Sequence, residues 1–517
     1  MLLSNLISKA KIEYTLLDAR RARGVYPLAN IELEEIFLDS RKVVRGGLYI
    51  ALEGLHTDSH EYLCEAESHG ALAAVVSRRA VYDRRVEPSK CNIPLIAVDD
   101  CREAMARLYA AWYDNPQESM KFIGVTGTNG KTTVTRMIYE ILTRAGERCG
   151  LIGTAGNLIS RADGGDEEIN IRPGSELANM TTPDPEELYR ILDTMRESGV
   201  RYVIMEVTSH SLALRKVSPI DFEIGVFTNL TEDHLDFHLN MEEYYRAKRS
   251  LFERCRKSVI NLDDMYGRRL INEISTARYT TSCEGRNADF AACDIRCHGE
   301  CGMEYRLASG RMRLRIKTRI PGAVTVTNTL EAAAVANLLG VPPREIKDAI
   351  FSLSGIRGRL ERLKLPLKVG FSVYIDYAHT PDALENLLRT ARMLVRRGQR
   401  IVLLFGCGGD RERQKRAMMG RIAGSMSDFF VITSDNPRSE EPSDIISDII
   451  SGVGDEGQFT VIEEREKAIE YVIKNARAGD IILLAGKGHE EYSIDKGGKK
   501  DFSERALVDR FVKRYYG

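Results

Sequence analysis

The feature that most restricts the fold of this chain is the run Lys121-Phe122-Ile123-Gly124-Val125-Thr126 leading into Gly127-Thr128-Asn129-Gly130-Lys131-Thr132-Thr133. The first six residues carry a buried-strand pattern, the next form a glycine-bearing turn, and the periodicity then predicts an amphipathic helix from Lys131 to Ala145. Strand, glycine turn and helix open an α/β nucleotide-binding domain with a parallel sheet. Glycines let backbone N–H groups wrap phosphate oxygens, the helix N-terminus favours negative charge, and Lys131 neutralises it. The Thr132 hydroxyl is placed to hold a magnesium ion. The strict phosphate-loop pattern has glycine where this chain has Val125, so the motif lacks one glycine while its setting is complete. A glycine turn before an ordinary helix is the alternative.

At 517 residues the chain exceeds what one core can serve, about 250–300 residues, and three α/β domains are expected. Asp114-Asn115-Pro116 stops a helix predicted over 100–113, and a second boundary falls near Gly355. The expected domains are 1–115, 116–355 and 356–517. The first contains the apolar runs GLYIAL, ALAAVVS and IPLIAV. In the second, RYVIMEV and EIGVFTNL read as parallel strands, residues 283–320 switch to antiparallel alternation, and an alanine-rich helix is predicted over 328–339. In the third, VYIDYAH, IVLLFGCGG, FFVITSD and DIILLAGKG end in polar or glycine-rich loops. In such a sheet, ligands bind beyond the carboxyl ends of the strands.

Lys plus Arg number 74 against 75 Asp plus Glu, a balance that argues against nucleic-acid binding by bulk charge. No run approaches the ~20 apolar residues of a membrane span, and the N-terminal segment lacks the marks of a secretory signal. Ten scattered cysteines fit a reducing cytosol. A cytoplasmic protein is expected.

Several residues outside the phosphate loop carry chemistry. Glu206 ends an apolar strand, where a carboxylate can complete magnesium coordination. Thr231-Glu232-Asp233-His234 follows the next strand. Seven of the nine histidines (His56, His60, His210, His234, His238, His379 and His489) fall in predicted rim loops. Asn240 reads as an N-cap with Glu243 completing a capping box, and Met241, Tyr244, Tyr245, Lys248, Leu251 and Phe252 then share one helix face. Lys248 therefore points inward. Either it snorkels to water, or it is a desolvated amine with altered acid–base chemistry. Four C-terminal motifs complete the set: Asp376-Tyr377-Ala378-His379-Thr380-Pro381-Asp382, Gly406-Cys407-Gly408-Gly409-Asp410-Arg411, Ser434-Asp435-Asn436-Pro437-Arg438 and Gly486-Lys487-Gly488-His489-Glu490. Such a rim can bind a zwitterion, with arginines for a carboxylate and Asp435 and Glu490 for an ammonium.

Taken in order, these motifs resemble the Mur ligase family of peptidoglycan synthesis, from Asp39-Ser40-Arg41 to Gly486-Lys487-Gly488-His489-Glu490, and within it the members that add meso-diaminopimelate. The resemblance implies a UDP-sugar-binding domain, a central P-loop-type ATPase, and a C-terminal Rossmann-like domain that receives the amino acid. It implies that ATP phosphorylates the D-glutamyl carboxylate of UDP-N-acetylmuramoyl-L-alanyl-D-glutamate, and that meso-diaminopimelate attacks the acyl phosphate. The protein would act as a monomer, with small-molecule substrates and neither nucleic acid nor membrane as partner. By resemblance, Gly127, Thr128, Asn129, Gly130, Lys131, Thr132, Thr133, Asn328, Arg359, Asp376 and His379 bind ATP. Thr132, Glu206, His234 and Lys248 serve magnesium, with Lys248 carbamylated. Lys131, Glu206, His234 and Lys248 form the catalytic set.

The resemblance further implies that Ser40, His56 and Thr57 touch the UDP-sugar, and Thr181, Thr182, Thr208 and Lys216 the muramoyl-peptide. Arg411, Asp435, Asn436, Arg438, Gly486 and Glu490 form the amino-acid pocket. The Asp-Asn-Pro-Arg form goes with diaminopimelate rather than L-lysine, because Arg438 can clamp the distal carboxylate that lysine lacks. The chain departs from the family at Lys216, where arginine is usual, and at Ser59, Thr325, Arg357 and Ala417. Three other readings are a lysine-adding or folylpolyglutamate-type ligase, a cyanophycin-type synthetase, and a non-catalytic nucleotide-binding paralogue. Cys293, Cys297, His298 and Cys301 suggest a zinc site, against which stands a row of buried thiols on one strand face.

Overall fold

The computed structural model describes residues 1–17, 28–54, 57–161, 163–170, 180–455 and 457–517. The chain forms two compact units, Met1–Ile123 with Arg148–Glu223 and Gly124–Glu147 with Ile224–Gly517. The architecture is that of a three-domain α/β protein with mixed, mostly parallel sheets.

The first unit holds a five-stranded sheet in the order Thr15–Leu17, Leu95–Val98, Ala71–Ser77, Gly47–Ile50 and Glu35–Phe37. All its pairings are parallel except the one at the Thr15–Leu17 edge. The helix Cys101–Trp112 is capped by Asp100, whose carboxylate accepts from the Arg102 and Glu103 amides. Four further strands of this unit lie in the order Tyr202–Glu206, Cys149–Gly153, Gly156–Ser160 and Asp166–Glu168.

In the second unit the strand ending at Thr126 passes through the glycine turn into the helix Lys131–Arg144, as its periodicity predicts. That helix buries Val134, Met137, Ile138, Ile141 and Leu142 and packs on the helix Ala323–Leu338. The second helix starts five residues earlier than its alanine content predicts. Gly322 opens it, and Thr325 and Thr329 return their hydroxyls to the carbonyls of Pro321 and Thr325. Ala332 to Ala336 are buried all round, the mark of a core helix rather than a surface one. Strands Phe290–Cys297, Met303–Ser309 and Met312–Thr318 are antiparallel, as the alternation predicts.

Both readings of the cysteine cluster need correction. The register of Phe290–Cys297 shifts between Cys293 and Arg296, and Cys301 sits in the turn Gly299–Cys301, so the three thiols share no strand face. Cys297 and Cys301 are exposed and Cys293 is half-buried, so they are not core thiols. Among the described residues Cys293, Cys297, His298 and Cys301 are not brought together as a metal-binding group, which counts against the zinc reading as well.

The C-terminal sheet runs Glu361–Arg362, Ser372–Asp376, Ile481–Ala485, Ile401–Phe405, Phe429–Ile432 and Phe459–Val461. Its five long strands are parallel, so the four motifs after Asp376, Phe405, Ile432 and Ala485 emerge at one edge. Arg416, fully buried, ties that edge together by donating to Glu440, Asp448 and the Gly408 carbonyl.

One buried group strains this design. Glu331 has no exposure and neither carboxylate oxygen has a partner. Burial, then Asp263 and Asp264, push its pKa well above the usual carboxylate value of 4.5. The unfolded chain therefore releases this proton at a lower pH than the folded one, and stability falls as pH rises. Glu331→Leu is expected to stabilise the protein at neutral pH by about 1–3 kcal/mol. The gain should shrink as pH drops below the carboxylate range, read as urea midpoints across pH.

Candidate active site

The phosphate loop is held by the residues that follow the strand Phe222–Phe227. Thr228 Oγ1 donates to the Asn129 carbonyl (2.6 Å), Asn229 Oδ1 accepts from the Asn129 amide (2.9 Å), and the Asn229 carbonyl accepts from the Thr128 amide. Gly127 has φ +152°, and a Cβ there would overlap Thr228 Oγ1, so only glycine fits. Thr228 and Asn229 did not stand out in the sequence. Their only signal is a polar pair directly after an apolar strand.

Two ammonium groups converge on this loop. Lys131 Nζ donates to the carbonyls of Gly127 (2.9 Å) and Thr128 (2.8 Å), and Lys248 Nζ donates to the same Gly127 carbonyl (2.8 Å). Lys248 is 1% exposed and sits over the Tyr244 ring, which excludes snorkelling. Its helix begins as predicted, with Asn240 Oδ1 accepting the Glu243 amide. Burial, then the Lys131 charge, push the Lys248 amine well below its ordinary pKa, against the opposing pull of Asp233. Against burial, His234, His379, Lys415 and Lys131 hold Asp233 down at about 2.

Beside the loop lies a cavity of about 150 Å³. It gathers Asn129, Gly130, Thr133, Asn328, Arg359, Asp376 and His379, which are seven of the residues expected to bind nucleotide. Arg359 spans it, donating from Nη2 to Thr132 Oγ1 (2.9 Å) while its guanidinium lies over the Tyr377 ring. Asn129 Nδ2 donates to Asp382 Oδ2 (2.7 Å). Asp376 is spent on backbone, accepting from the amide of Ala378 in its own loop and from that of Leu360. Thr325, at a departure from the family, lines the same cavity. Tyr377 and Asp382 are further residues here whose part the sequence did not show.

In the other unit Glu206 is buried at the end of its strand, with Oε1 accepting the Thr154 amide (2.8 Å). Gly153 leaves its room, since a Cβ there would lie 2.5 Å from Oε1. Thr182 donates to the Glu206 carbonyl and contacts Thr208, while Thr154 donates to Thr181, so the expected peptide-binding threonines and Glu206 form one cluster. Lys216 is buried and paired with Asp184 (2.6 Å). Ser40 donates to Glu65, and Thr57 is exposed. His56 lies outside the described residues. The crowding of histidines at the rim is partly structural: His60 is buried between Asp58 and the Ser77 amide, and His238 stacks on Tyr244.

The C-terminal rim collects Asp435, Asn436, Arg438, Gly486 and Glu490. Gly486 (φ +112°) has no space for a Cβ, which would lie 2.5 Å from Asp435 Oδ2. Asn436 Nδ2 donates to Glu490 Oε2 (2.9 Å). Arg438 Nη1 reaches the Gly409 carbonyl (2.7 Å), and Arg411 lies near it across Gly408. Burial and then Arg411 lower the Arg438 pKa. Among the described residues neither arginine has a carboxylate in ion-pair range, while Arg438 feels the charges of Asp435 and Glu490. That arrangement suits a ligand bearing both charges.

Comparison with known proteins decides the family. Residues 32–113 match the model "Mur ligase family, catalytic domain", 125–336 the "Mur ligase middle domain", and 358–488 the "Mur ligase, glutamate ligase domain". The chain is 39% identical over 508 residues to the UDP-N-acetylmuramoyl-L-alanyl-D-glutamate–2,6-diaminopimelate ligase of Clostridium tetani, covering 98% of each protein. The chain belongs to the Mur ligase family. The same-named ligase of Caldanaerobacter subterraneus is 40% identical over 487 residues, covering 93% of this chain and 95% of that protein. A solved structure of a ligase of this name superposes with a TM-score of 0.64 at 29% identity, covering 97% of this chain and all of that one. A Thermotoga maritima MurF ligase shares the fold alone, with a TM-score of 0.58 at 16% identity over 94% of this chain and 98% of that one.

His379 and His489 of this Mur ligase are held neutral. Burial, followed by Lys415 for His379 and Arg359 for His489, lowers each from 6.5 to about 4. Between those values the unfolded chain binds protons that the folded chain refuses, so stability falls as pH drops through that window. The melting temperature should decline from pH 6.5 towards pH 4, with a shallower slope in His379→Gln. An unchanged slope would place the acid sensitivity elsewhere.

Proposed function

We propose that this Mur ligase adds meso-diaminopimelate to UDP-N-acetylmuramoyl-L-alanyl-D-glutamate, with ATP as the energy source, in the synthesis of peptidoglycan precursors in the cytoplasm. It is an ATP-dependent acid–amino-acid ligase. A carboxylate is a poor acyl donor, so the D-glutamyl γ-carboxylate first takes the γ-phosphoryl group of ATP. The free amine of the amino acid then attacks the acyl phosphate, and the tetrahedral intermediate expels phosphate. The protein's part is positioning and charge stabilisation.

Each group on the page has a place in that sequence. The amides of Gly127–Thr133 and the Lys131 ammonium cradle the phosphates, and Arg359 and Asn328 hold the nucleotide beside them. The Thr181–Thr182–Thr208 cluster receives the peptide, with Lys216 in place of the usual arginine, and Ser40, His56 and Thr57 receive the UDP-sugar. By the family resemblance Thr132, Glu206 and His234 would serve magnesium; the Thr132 hydroxyl and the Glu206 carboxylate are hard oxygen donors of the kind that ion takes, and Gly153 keeps the Glu206 carboxylate free of a clash. Magnesium, when bound, neutralises phosphate charge. The buried Lys248 amine, next to that loop, favours the neutral form that adds carbon dioxide with loss of a proton, which would turn it into an anion. The chain supplies all these groups itself, so we read it as active as a monomer. The helices of the described residues include none long and apolar enough to cross a membrane.

The observation that carries the choice of amino acid is the Arg411–Arg438 pair without carboxylate partners, set beside Asp435 and Glu490. L-Lysine would leave one guanidinium desolvated and unpaired, whereas meso-diaminopimelate brings a second carboxylate. In an assay of phosphate release with ATP, magnesium and the UDP-muramoyl-dipeptide, meso-diaminopimelate should support turnover and L-lysine should not. Arg438→Met should lower kcat/KM for diaminopimelate by about a hundredfold or more and leave lysine turnover unchanged. A wild-type preference for lysine would overturn the reading. Lys248 gives a separate test: stripping carbon dioxide should slow the wild type and bicarbonate restore it, while Lys248→Arg stays slow under both conditions.

A further inference from the structure

Lys487 stands in the loop Gly486-Lys487-Gly488-His489-Glu490 and is 1% exposed. Its Nζ donates to Asn436 Oδ1 (2.9 Å) and to the Tyr492 carbonyl (3.0 Å), and lies 3.9 Å from Asp435 Oδ1 and 3.8 Å from Glu490 Oε2. An ammonium with two of its three donors committed, and two carboxylates just beyond hydrogen-bond range, is a centre rather than a partner in one ion pair.

The first consequence concerns the Asn436 amide. Its Oδ1 accepts from the Lys487 ammonium and from the Ile494 backbone amide (3.0 Å), while its Nδ2 donates to Glu490 Oε2. Turning the amide over would set its NH₂ against two donors and its oxygen against a carboxylate, so the network admits only one orientation. Lys487 thereby fixes which end of Asn436 meets Glu490. The second consequence is a charge count. Asp435, Glu490 and Glu504 carry three negative charges, and Lys487 and Arg465 two positive ones, with Arg465 paired to Glu504 and 3.8 Å from Asp435. Arg438, which feels the charges of Asp435 and Glu490, offsets that excess until a substrate carboxylate engages it.

We propose that Lys487 is a positioning residue for amino-acid selection: it locks the Asn436 amide onto Glu490, so that a fixed carboxylate meets the substrate's ammonium. This rests on the reading of the C-terminal rim as the amino-acid pocket. Lys487 does not touch the amino acid and acts through Asn436 and Glu490.

The test is a double-mutant cycle on the full-length enzyme, with KM for meso-diaminopimelate as the readout. Lys487→Met should raise that KM roughly 10- to 100-fold, the loss of a charged hydrogen bond, with kcat and the KM for ATP little changed. Asn436→Ala should raise it alone but add little in the Lys487→Met background, because without the ammonium the amide is no longer fixed. A general packing role would give additive effects and lower kcat or the melting temperature as well, and would overturn the proposal. If Lys487→Met does not fold, Lys487→Gln keeps a donor for Asn436 without the charge and should show a smaller rise with the same non-additivity. Arg438→Met is the control for the pocket itself. If it impairs diaminopimelate use while both Lys487 variants match the wild type, the pocket stands and the Lys487 proposal falls. If none of these variants affects diaminopimelate use, the pocket reading falls and takes the proposal with it.

Discussion

The phosphate loop depends on the close approach of the Gly127 peptide to Thr228. A side chain there would collide with Thr228, so the loop lies flat against the residues that end the strand Phe222–Phe227. Its carbonyl is then presented to two lysines, one from the following helix and one from the helix Met241–Arg249. Two ammonium groups so close discourage each other's charge, and the deeper one, Lys248, yields. From the same loop Asn129 and Thr132 reach across to Asp382 and Arg359 of the C-terminal domain. The shape of the loop, the unusual amine and the contacts to Asp382 and Arg359 therefore depend on one stretch of backbone.

The C-terminal rim solves a different problem. On the proposed reading it must attract a zwitterion without neutralising itself. Among the described residues Arg411 and Arg438 have no carboxylate in ion-pair range, while Asp435 and Glu490 share a lysine that is held too far from either to satisfy it. Fixed amide and ammonium groups keep the opposite charges from collapsing onto one another. Arg416, buried under the same edge, anchors the loops by taking up Glu440 and the Gly408 carbonyl.

Much of this was legible in the sequence because it is written in short-range code. The phosphate loop, the Asn240 cap and the inward face of Lys248 follow from spacing alone, and the four C-terminal motifs fall at strand ends because a parallel sheet puts them there. What was not legible depends on residues far apart in the chain. Thr228 and Asn229 look like an ordinary polar pair until the strand order places them under Gly127. Lys487 was quoted within its motif, but its bond to Asn436 crosses 51 positions. The cysteines failed for a local reason, a register shift that period-2 reasoning does not anticipate. His60 shows that rim position does not imply chemistry, since its ring is consumed by Asp58 and the Ser77 amide.

The central claim is that the loop at Gly127 serves phosphoryl transfer to a carboxylate, and the fate of that carboxylate's oxygen tests it most directly. The UDP-muramoyl-dipeptide would be labelled with heavy oxygen in its D-glutamyl γ-carboxylate and turned over once with ATP and meso-diaminopimelate. The account predicts one labelled oxygen in the inorganic phosphate released, with ADP unlabelled. Label appearing in AMP, or retained wholly in the peptide product, would contradict it.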